Sequence, residues 1–228
     1  MTVLRFARLI WQRHRWSVPL SLGSAVFFVR LAREMSEHEL DAFDVGIQHS
    51  VDGLRGSIDD AMVFLTTVGS FLPMLMLAVV VLVVLLAAGR TREVRFFLLS
   101  ALGCLLLNVL LKGVFHRARP SAELPYLMTR PTSFSFPSGH TMGNAGVIGS
   151  LAVVIRVLRP PRRVWIASSV LAALWVLGVA LSRVYLGAHY PSDVLGGLLA
   201  AASWVSAVTG YVYPRLLPHE RTTPIPPP

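Results

Sequence analysis

His189 and Asp193 are the residues of this sequence best suited to covalent chemistry. Pro191 suits the first position of a helix, which places Asp193 in the first turn, where the helix dipole favours an anionic carboxylate. Because Asp193 follows His189 by four residues, its carboxylate can accept a ring N–H, fix the tautomer and leave the other ring nitrogen free to attack. A helix-capping aspartate beside a surface histidine would produce the same spacing, so both interpretations stay open on these residues alone.

The run of Pro137, Ser138, Gly139 and His140 directly precedes an apolar segment and is typical of an anion-binding helix start. Proline suits the first turn, serine favours the N-cap, and glycine lets a ligand approach the backbone closely. The unpaired N–H groups and the helix dipole then attract an anion. An ordinary helix start would account for the first three residues, but it leaves a histidine at the mouth of an apolar helix unexplained.

Lys112 is the only lysine in a chain with twenty arginines, and it lies seven residues before Arg119. Basic side chains at the end of an apolar segment usually extend to the lipid headgroups, and we interpret Arg117 and Arg130 in this way. That interpretation fits Lys112 less well, since every other cation is an arginine. A compact ammonium beside forked guanidinium groups suits a phosphate dianion, and Arg183 supplies a third cation.

The composition indicates a membrane protein. Apolar residues make up 54% and charged residues 14% of the 228 residues, and the mean hydropathy is +0.61. An ordinary soluble domain carries about 25% charged residues, so these values argue against a soluble monomer and exclude disorder. We expect helices, because open strands cannot satisfy their backbone in lipid. Six apolar segments predict spans at 17–31, 61–88, 94–115, 141–158, 164–181 and 194–213.

The predicted fold is therefore all-α, a polytopic membrane protein whose single domain over residues 1–213 is a bundle of six transmembrane helices. Residues 214–228 form a Pro-rich cytoplasmic tail that we expect to be disordered. The second segment is long for one span, so either Pro73 kinks it or its start lies along the membrane surface.

An amphipathic helix is predicted between the first two spans. Leu40, Phe43, Ile47, Val51 and Leu54 fall on one helical face, with acidic residues on the other. A helix at the membrane interface and a loop helix packed on protein are equally compatible with this pattern.

The charges sort by side of the membrane. With six spans, both chain ends lie on one side, which carries 13 cations and two acids, against eight cations and ten acids on the other. The positive-inside rule places the basic side in the cytoplasm, so the loops 112–140 and 183–193 face outwards. We expect a bacterial inner membrane, because the chain is compact and bare of extra domains. We expect no nucleic-acid partner, because the net charge of +9 is explained by topology. Five spans would separate the ends and destroy this sorting.

A zinc site is an alternative interpretation of the same residues. His116, His140, His189 and Asp193 could supply ligands. The neighbouring cations would repel a dication and attract a phosphate, so we predict neither a metal nor a cofactor.

Several other residues are interpreted as structural. Asn108 suits an interhelical hydrogen bond, and Gly196 with Gly197 suits close helix packing. His116 is interpreted as incidental. The single cysteine, Cys104, excludes an internal disulfide framework.

Taken together, the spacings K-x6-R-P, P-S-G-H and S-R-x5-H-x3-D resemble the three-part signature of the type 2 phosphatidic acid phosphatase superfamily. The motifs extend over residues 112–193, and the six-span layout carries the resemblance over most of the chain. The matching positions are Lys112, Arg119, Pro120, Pro137, Ser138, Gly139, His140, Ser182, Arg183, His189 and Asp193.

The resemblance implies a six-helix membrane fold and metal-independent hydrolysis of a lipid phosphate through a phosphohistidine. It implies that His189 is the nucleophile, Asp193 its orienting partner and His140 the general acid. The groups implied to hold the phosphoryl oxygens are Lys112, Arg119, Arg183, Ser138 and the N–H of Gly139.

The expected partners are the bilayer and a lipid phosphate such as undecaprenyl diphosphate, phosphatidic acid or phosphatidylglycerol phosphate. A phosphotransferase would use the same residues and differ only in its product. A non-enzymatic membrane protein with a vestigial site would leave the intact motifs unexplained. A vanadate haloperoxidase shares the pocket type, but such relatives are soluble and lack the spans.

Overall fold

The computed structural model describes residues 16–54, 56–120 and 132–213. Within these residues the chain forms helices and short connections without a β-strand, which confirms the all-α prediction. The predicted tail at 214–228 and Arg130 lie outside the described residues. The helices of the described part are α1 (Ser17–Ser36), α2 (Asp41–Asp52), α3 (Asp59–Val68), α4 (Phe71–Ala87), α5 (Thr91–Phe115), α6 (Gly139–Val157), α7 (Arg162–Tyr185) and α8 (Pro191–Val212).

Helix α6 lies at the centre of the bundle and packs against α5, α7 and α8. The main core is buried around α5, α6 and α8 and includes Phe97, Cys104 and Met142. The close approach of α5 and α6 depends on Gly146, because an added Cβ there would lie 2.8 Å from the Cβ of Cys104. Small residues permit such contacts between membrane helices. The helix that begins with the PSGH motif is therefore held by neighbours on several sides.

Helix α1 packs along α8, so the first and last described helices are neighbours. The Oγ of Ser21 donates to the carbonyl of Ser203 at 3.0 Å, and the Oγ of Ser203 donates to the carbonyl of Ser21 at 3.1 Å. Hydrogen bonds between small polar side chains and a facing backbone are a common means of joining membrane helices. The two ends of the described chain are thereby linked across the bundle.

Three helices in the described part, α5, α7 and α8, are long and apolar enough to cross a membrane, and α3 with α4 would make a fourth span if the bent pair is one. Large apolar side chains on their outer faces, such as Val83, Leu110 and Leu171, are more than half exposed, as expected for contact with lipid. Helices α1 and α6 coincide with two further predicted spans but do not meet the same limits. The integral membrane character is confirmed, and the count of six spans stays a prediction.

The second predicted span is broken between Gly69 and Ser70, where α3 and α4 meet at a bend of 49°. Pro73 is not the cause of the bend, because it lies in the first turn of α4, where no intrahelical N–H is needed. Gly69 fits the break because an added Cβ would lie 2.8 Å from the side chain of Val179 on α7. The break therefore lets α3 approach α7 closely.

The amphipathic helix predicted before the second span is α2. Its residues Ile47 and Val51 pack on a small core of α7 and α8, whereas Phe43 stays exposed. The observed packing on α7 and α8 favours the helix packed on protein for this part of the face. The prediction that the acids lie on the outer face is wrong for Asp44, which is fully buried.

Candidate active site

His189 lies in the turn between α7 and α8 and is 1% exposed. Its Nδ1 is 3.4 Å from Oδ2 of Asp193, which is in the first turn of α8 as predicted. The same carboxylate oxygen accepts the backbone N–H of Tyr190 at 2.9 Å and so caps the helix. The hydroxyl of Ser135 also donates to this oxygen, at 2.5 Å. Asp193 is thus fixed by the start of its own helix while it faces the imidazole.

The other ring nitrogen of His189 lies beside Arg119. One guanidinium nitrogen of Arg119 is 3.1 Å from Nε2 and donates to the carbonyl of Ala188 at 2.7 Å. A guanidinium has only donors, so Nε2 must be the unprotonated nitrogen and Nδ1 must carry the proton. This assignment gives Asp193 the Nδ1–H to accept and leaves the Nε2 lone pair on the side of the cavity.

Burial, together with the nearby Arg119 and Arg183, lowers the pKa of His189 to about 4, although Asp193 opposes the shift. The direction follows because an imidazolium loses its hydration in the interior. The ring is therefore neutral at physiological pH. A neutral ring with Nδ1 protonated is the form that can attack through Nε2.

A cavity of about 520 Å³ brings most of the predicted site together. Arg183 is 1% exposed and contacts the hydroxyl of Thr66, yet its Nε has no hydrogen-bond partner. Lys112 contacts the backbone carbonyl of Phe134. Three cations therefore converge on a space that an anion can fill. The predicted site residues that line the cavity are Lys112, Arg119, Gly139, His140, Arg183 and His189.

Ser138 is placed differently from the other predicted phosphate ligands. It is the residue before α6, as predicted, but it is fully buried and does not line the cavity. Its Oγ accepts a hydrogen bond from Thr141 at 3.1 Å and makes no cap to the helix. The first-turn N–H groups of α6 are therefore not consumed by a serine cap.

The segment before α6 is clamped between two helices. Asn108 on α5 donates to the carbonyl of Pro137 at 3.1 Å, in the segment before α6, and lies 3.6 Å from the Sδ of Met142, which is the contact that reaches helix α6. On α8, a Cβ added at Gly196 would lie 2.5 Å from the ring of Phe136. A Cβ added at Gly197 would lie 2.9 Å from the carbonyl oxygen of Ser138. The two glycines thus permit the close packing predicted for them and set the position of the PSGH segment.

The prediction that Arg117 extends to the lipid headgroups is wrong. Its side chain is 12% exposed and donates to Oδ1 of Asp193 at 2.8 Å and to Oδ2 of Asp44 at 2.7 Å. Asp44 in turn accepts the backbone N–H and the hydroxyl of Ser192. Sequence analysis also missed Ser135. Local spacing holds no signal for these contacts, because Asp44 and Arg117 are 73 residues apart.

The zinc alternative finds no support in the arrangement of the side chains. Across residues 16–54, 56–120 and 132–213, no three histidine, cysteine, aspartate or glutamate residues are grouped so that they could hold a metal ion. His116 packs its ring edge-on against Phe134, with ring centroids 4.5 Å apart.

The chain belongs to the PAP2 superfamily, whose sequence pattern matches residues 93–216. A crystal structure of a transmembrane PAP2-type phosphatidylglycerolphosphate phosphatase from Bacillus subtilis superposes with a TM-score of 0.79 at 26% identity, covering 89% of this chain and all of that one. The superfamily membership and the all-helical fold predicted from the sequence are thereby confirmed.

Similar curated proteins act on several lipids. Phosphatidylglycerophosphatase B of Bacillus subtilis is 31% identical over 78% of this chain and 87% of its own length. An undecaprenyl-diphosphatase of Sulfolobus acidocaldarius is 36% identical over 54% of this chain, and a lipid A 1-phosphatase of Rhizobium etli is 38% identical over 48%. The chain covers 56% and 46% of these last two proteins, or about half their length. The family and these relatives agree with the predicted enzyme class, a phosphatase hydrolase.

Proposed function

We propose that this protein is a membrane-embedded phosphatase that hydrolyses the phosphate ester or diphosphate of a lipid through a phosphohistidine on His189. The observation that carries the proposal is the composition of the cavity. One end holds the cations and histidines, and the remaining wall is apolar, with Leu75, Val79 and Leu102 among its residues. A substrate with a charged head and a long apolar tail matches both ends of this space.

The wall is formed by α4 and α5, whose outer faces are apolar and exposed. Val79 on α4 and Leu105 on α5 both line the cavity while more than two fifths of each residue stays exposed. Such side chains would contact lipid on one side and the substrate tail on the other. The tail would then remain in the bilayer while the phosphate enters the site.

The phosphoryl group would be held by Lys112, Arg119 and Arg183 with the start of α6. Phosphoryl transfer depends mainly on positioning and charge neutralisation, and three cations with a helix N-terminus supply both. Arg119 would exchange its contact with Nε2 of His189 for a phosphoryl oxygen. That exchange frees the nitrogen lone pair at the moment the phosphorus atom arrives.

The reaction would proceed in two displacements. Nε2 of His189 attacks phosphorus, the bond to the lipid oxygen breaks, and His140 donates the proton that the leaving oxygen needs. Asp193 stabilises the imidazolium through Nδ1–H. His140, now neutral, takes a proton from water, whose oxygen attacks phosphorus, and the N–P bond breaks to release phosphate and neutral His189.

The substrate set comprises undecaprenyl diphosphate, phosphatidic acid and phosphatidylglycerol phosphate. The site would face away from the cytoplasm of a bacterial inner membrane, because the positive-inside rule places the basic loops on the other side. An outward site suits the recycling of carrier lipids used outside the cytoplasm.

The test is phosphate release by the purified protein in detergent with EDTA present, on these three lipids. His189→Ala removes the proposed nucleophile, and His38→Ala is the matched control, because His38 is exposed and pairs only locally with Asp41. We expect release from at least one lipid that persists in His38→Ala and is lost in His189→Ala. Full turnover by His189→Ala would contradict the mechanism. A phosphorylated acceptor in place of free phosphate would indicate a phosphotransferase.

A further inference from the structure

A buried series of three charges lies behind the proposed nucleophile. Arg117 bridges Asp193, which faces His189, and Asp44, which comes from the separate helix α2. Asp44 and Asp193 are fully buried, and the guanidinium of Arg117 also stacks on the ring of Tyr190 at 4.2 Å. The series therefore runs from α2 to the imidazole without an intervening exposed group.

Arg117 creates an electrostatic conflict at Asp193. A guanidinium at 2.8 Å cancels much of the negative field that the carboxylate would present to the ring, especially in a buried site with weak screening. The proposed reaction needs that field, because His189 becomes cationic when Nε2 bonds to phosphorus. An isolated Asp193–Arg117 pair would be neutral overall.

Asp44 resolves the conflict by supplying a second negative charge on the far side of Arg117. The three side chains together carry a net charge of −1. Asp44 also accepts the backbone N–H of Ser192 at 2.9 Å, so a carboxylate from α2 satisfies a first-turn donor of α8. The same carboxylate thus fixes the helix start that carries Asp193.

We propose that Asp44 is a positioning residue whose charge, passed through Arg117, keeps Asp193 effective toward His189. The proposal rests on the proposed function, since it concerns the charge that develops on that histidine. It assigns a role in the chemistry to α2, a helix outside the three motifs and outside the matched residues 93–216.

The experiment compares four enzymes: wild type, Asp44→Asn, Arg117→Gln and the double variant. Asp44→Asn leaves the cluster neutral, and Arg117→Gln leaves two uncompensated carboxylates. The double variant returns the net charge to −1 with Asp193 alone. We expect Asp44→Asn to lose about tenfold in kcat, because Arg117 then cancels the field of Asp193. We expect a similar loss in Arg117→Gln, because two buried carboxylates without their cation repel each other and Asp193 no longer keeps its position at full charge. KM should change little in either variant, and the double variant should recover to within about threefold of wild type.

Turnover is expressed per folded molecule, from the monodisperse fraction in size-exclusion chromatography, and melting temperatures are recorded beside it. Asp41→Asn is the matched control, because Asp41 is an exposed acid on the same helix. Its kcat should equal that of wild type.

A double variant with kcat at or below that of the weaker single variant would overturn the proposal, as would an unchanged kcat in Asp44→Asn. Recovery of the melting temperature without recovery of kcat would show a purely structural cluster and also overturn it. If Asp44→Asn does not fold, the kcat of the double variant is compared with that of Arg117→Gln alone, and a value at or below it overturns the proposal. A double variant that cannot fold also counts against the proposal. Absence of phosphate release by the wild type would instead contradict the proposed function.

Discussion

The guanidinium of Arg119 occupies the Nε2 side of His189, with 3.1 Å between its terminal nitrogen and Nε2, and this is the side from which the proposed mechanism brings the phosphate. Arg119 is also anchored by its Nε to the carbonyl of Ser133 at 2.8 Å. The cation therefore screens the proposed nucleophile, and an arriving phosphate dianion would offer Arg119 a stronger, charge-assisted acceptor. Binding of substrate and exposure of the nucleophile would thus be a single event.

A covalent label on His189 is the first prediction. Rapid acid-free quenching during turnover of a ³²P-labelled lipid should leave phosphate on the protein, because the proposed path has an N–P intermediate. The label should resist alkali and be lost in acid, which distinguishes phosphohistidine from a phosphoserine. His189→Ala should carry no label, and a label that persists in this variant would exclude His189 as the nucleophile.

His140 is expected to matter most for substrates with a poor leaving group. His140→Ala should lower kcat on a lipid phosphate by about 10²- to 10⁴-fold, the usual contribution of a general acid. With p-nitrophenyl phosphate, the leaving oxygen needs no proton, so the rate of the first step should be unchanged. Phosphorylated His189 should then accumulate, because the second step is slow. Burst kinetics with this substrate check the prediction. Equal losses on both substrates without a burst would argue against proton donation by His140.

The pH dependence follows from the lowered pKa of His189. The ring attacks only when it is neutral, so kcat/KM should fall as the pH drops through about 4. Any fall on the alkaline side would report loss of the proton on His140, the proposed general acid. An ordinary histidine would give an acid limb near pH 6.5. The substrate phosphate also titrates near pH 6, so the pH profile of kcat/KM is measured on two lipids with different headgroups. An acid limb of the kcat/KM profile near pH 6.5 with both lipids would contradict a buried, neutral His189.

Six of the eight site residues predicted from the sequence line one cavity, because the chemistry constrains the spacing of the motifs. His140, Arg183 and His189 lie at the ends of predicted helices, and helix ends on one side of a bundle meet. The sequence could not predict Asp44, since an acid in an amphipathic helix is expected to face water. Its burial depends on Arg117, a partner that only the packing of α2 against α7 and α8 brings near.

The position of the helix break at Gly69 and Ser70 could not be predicted either, although the second segment is too long for one straight span. A proline is the usual cause of a kink, and Pro73 was the visible candidate. The structure places it in the first turn of α4, where it is tolerated. The Nδ2 of Asn144 donates to the carbonyl of Gly69 at 2.7 Å, so a partner on α6 holds the bend.

Packing of the PSGH segment can be tested at Gly196. In Gly196→Ala, the new Cβ would lie 2.5 Å from the ring of Phe136, so the segment before α6 must shift. We expect a loss of about 1–3 kcal/mol in stability and a reduced kcat, as for other overpacked sites. Thermal melting in detergent and turnover check this. Gly149→Ala on α6 is the control, because its Cβ meets nothing within 4 Å. Equal melting temperatures and turnover of Gly196→Ala and Gly149→Ala would contradict the packing argument.

The apolar wall can be tested with a bulky side chain. Leu105→Trp narrows the cavity from α5, whereas Leu106→Trp places the same group on a residue that does not line it. The first variant should raise KM for a long-chain lipid several-fold and leave a short-chain, water-soluble phosphate unaffected. The second variant should match wild type on both. Equal inhibition of both substrates by Leu105→Trp would show that the wall does not hold the tail.

The contact between Asp44 and Ser192 joins positions 148 residues apart, and the serine pair of α1 and α8 joins positions 182 residues apart. A fragment limited to α5–α8 would keep every signature residue and still lack Asp44. The proposed site can therefore form only after α8 has been synthesised and has joined the helices made before it. A chain that stops before α8 lacks Asp193 and cannot complete the site.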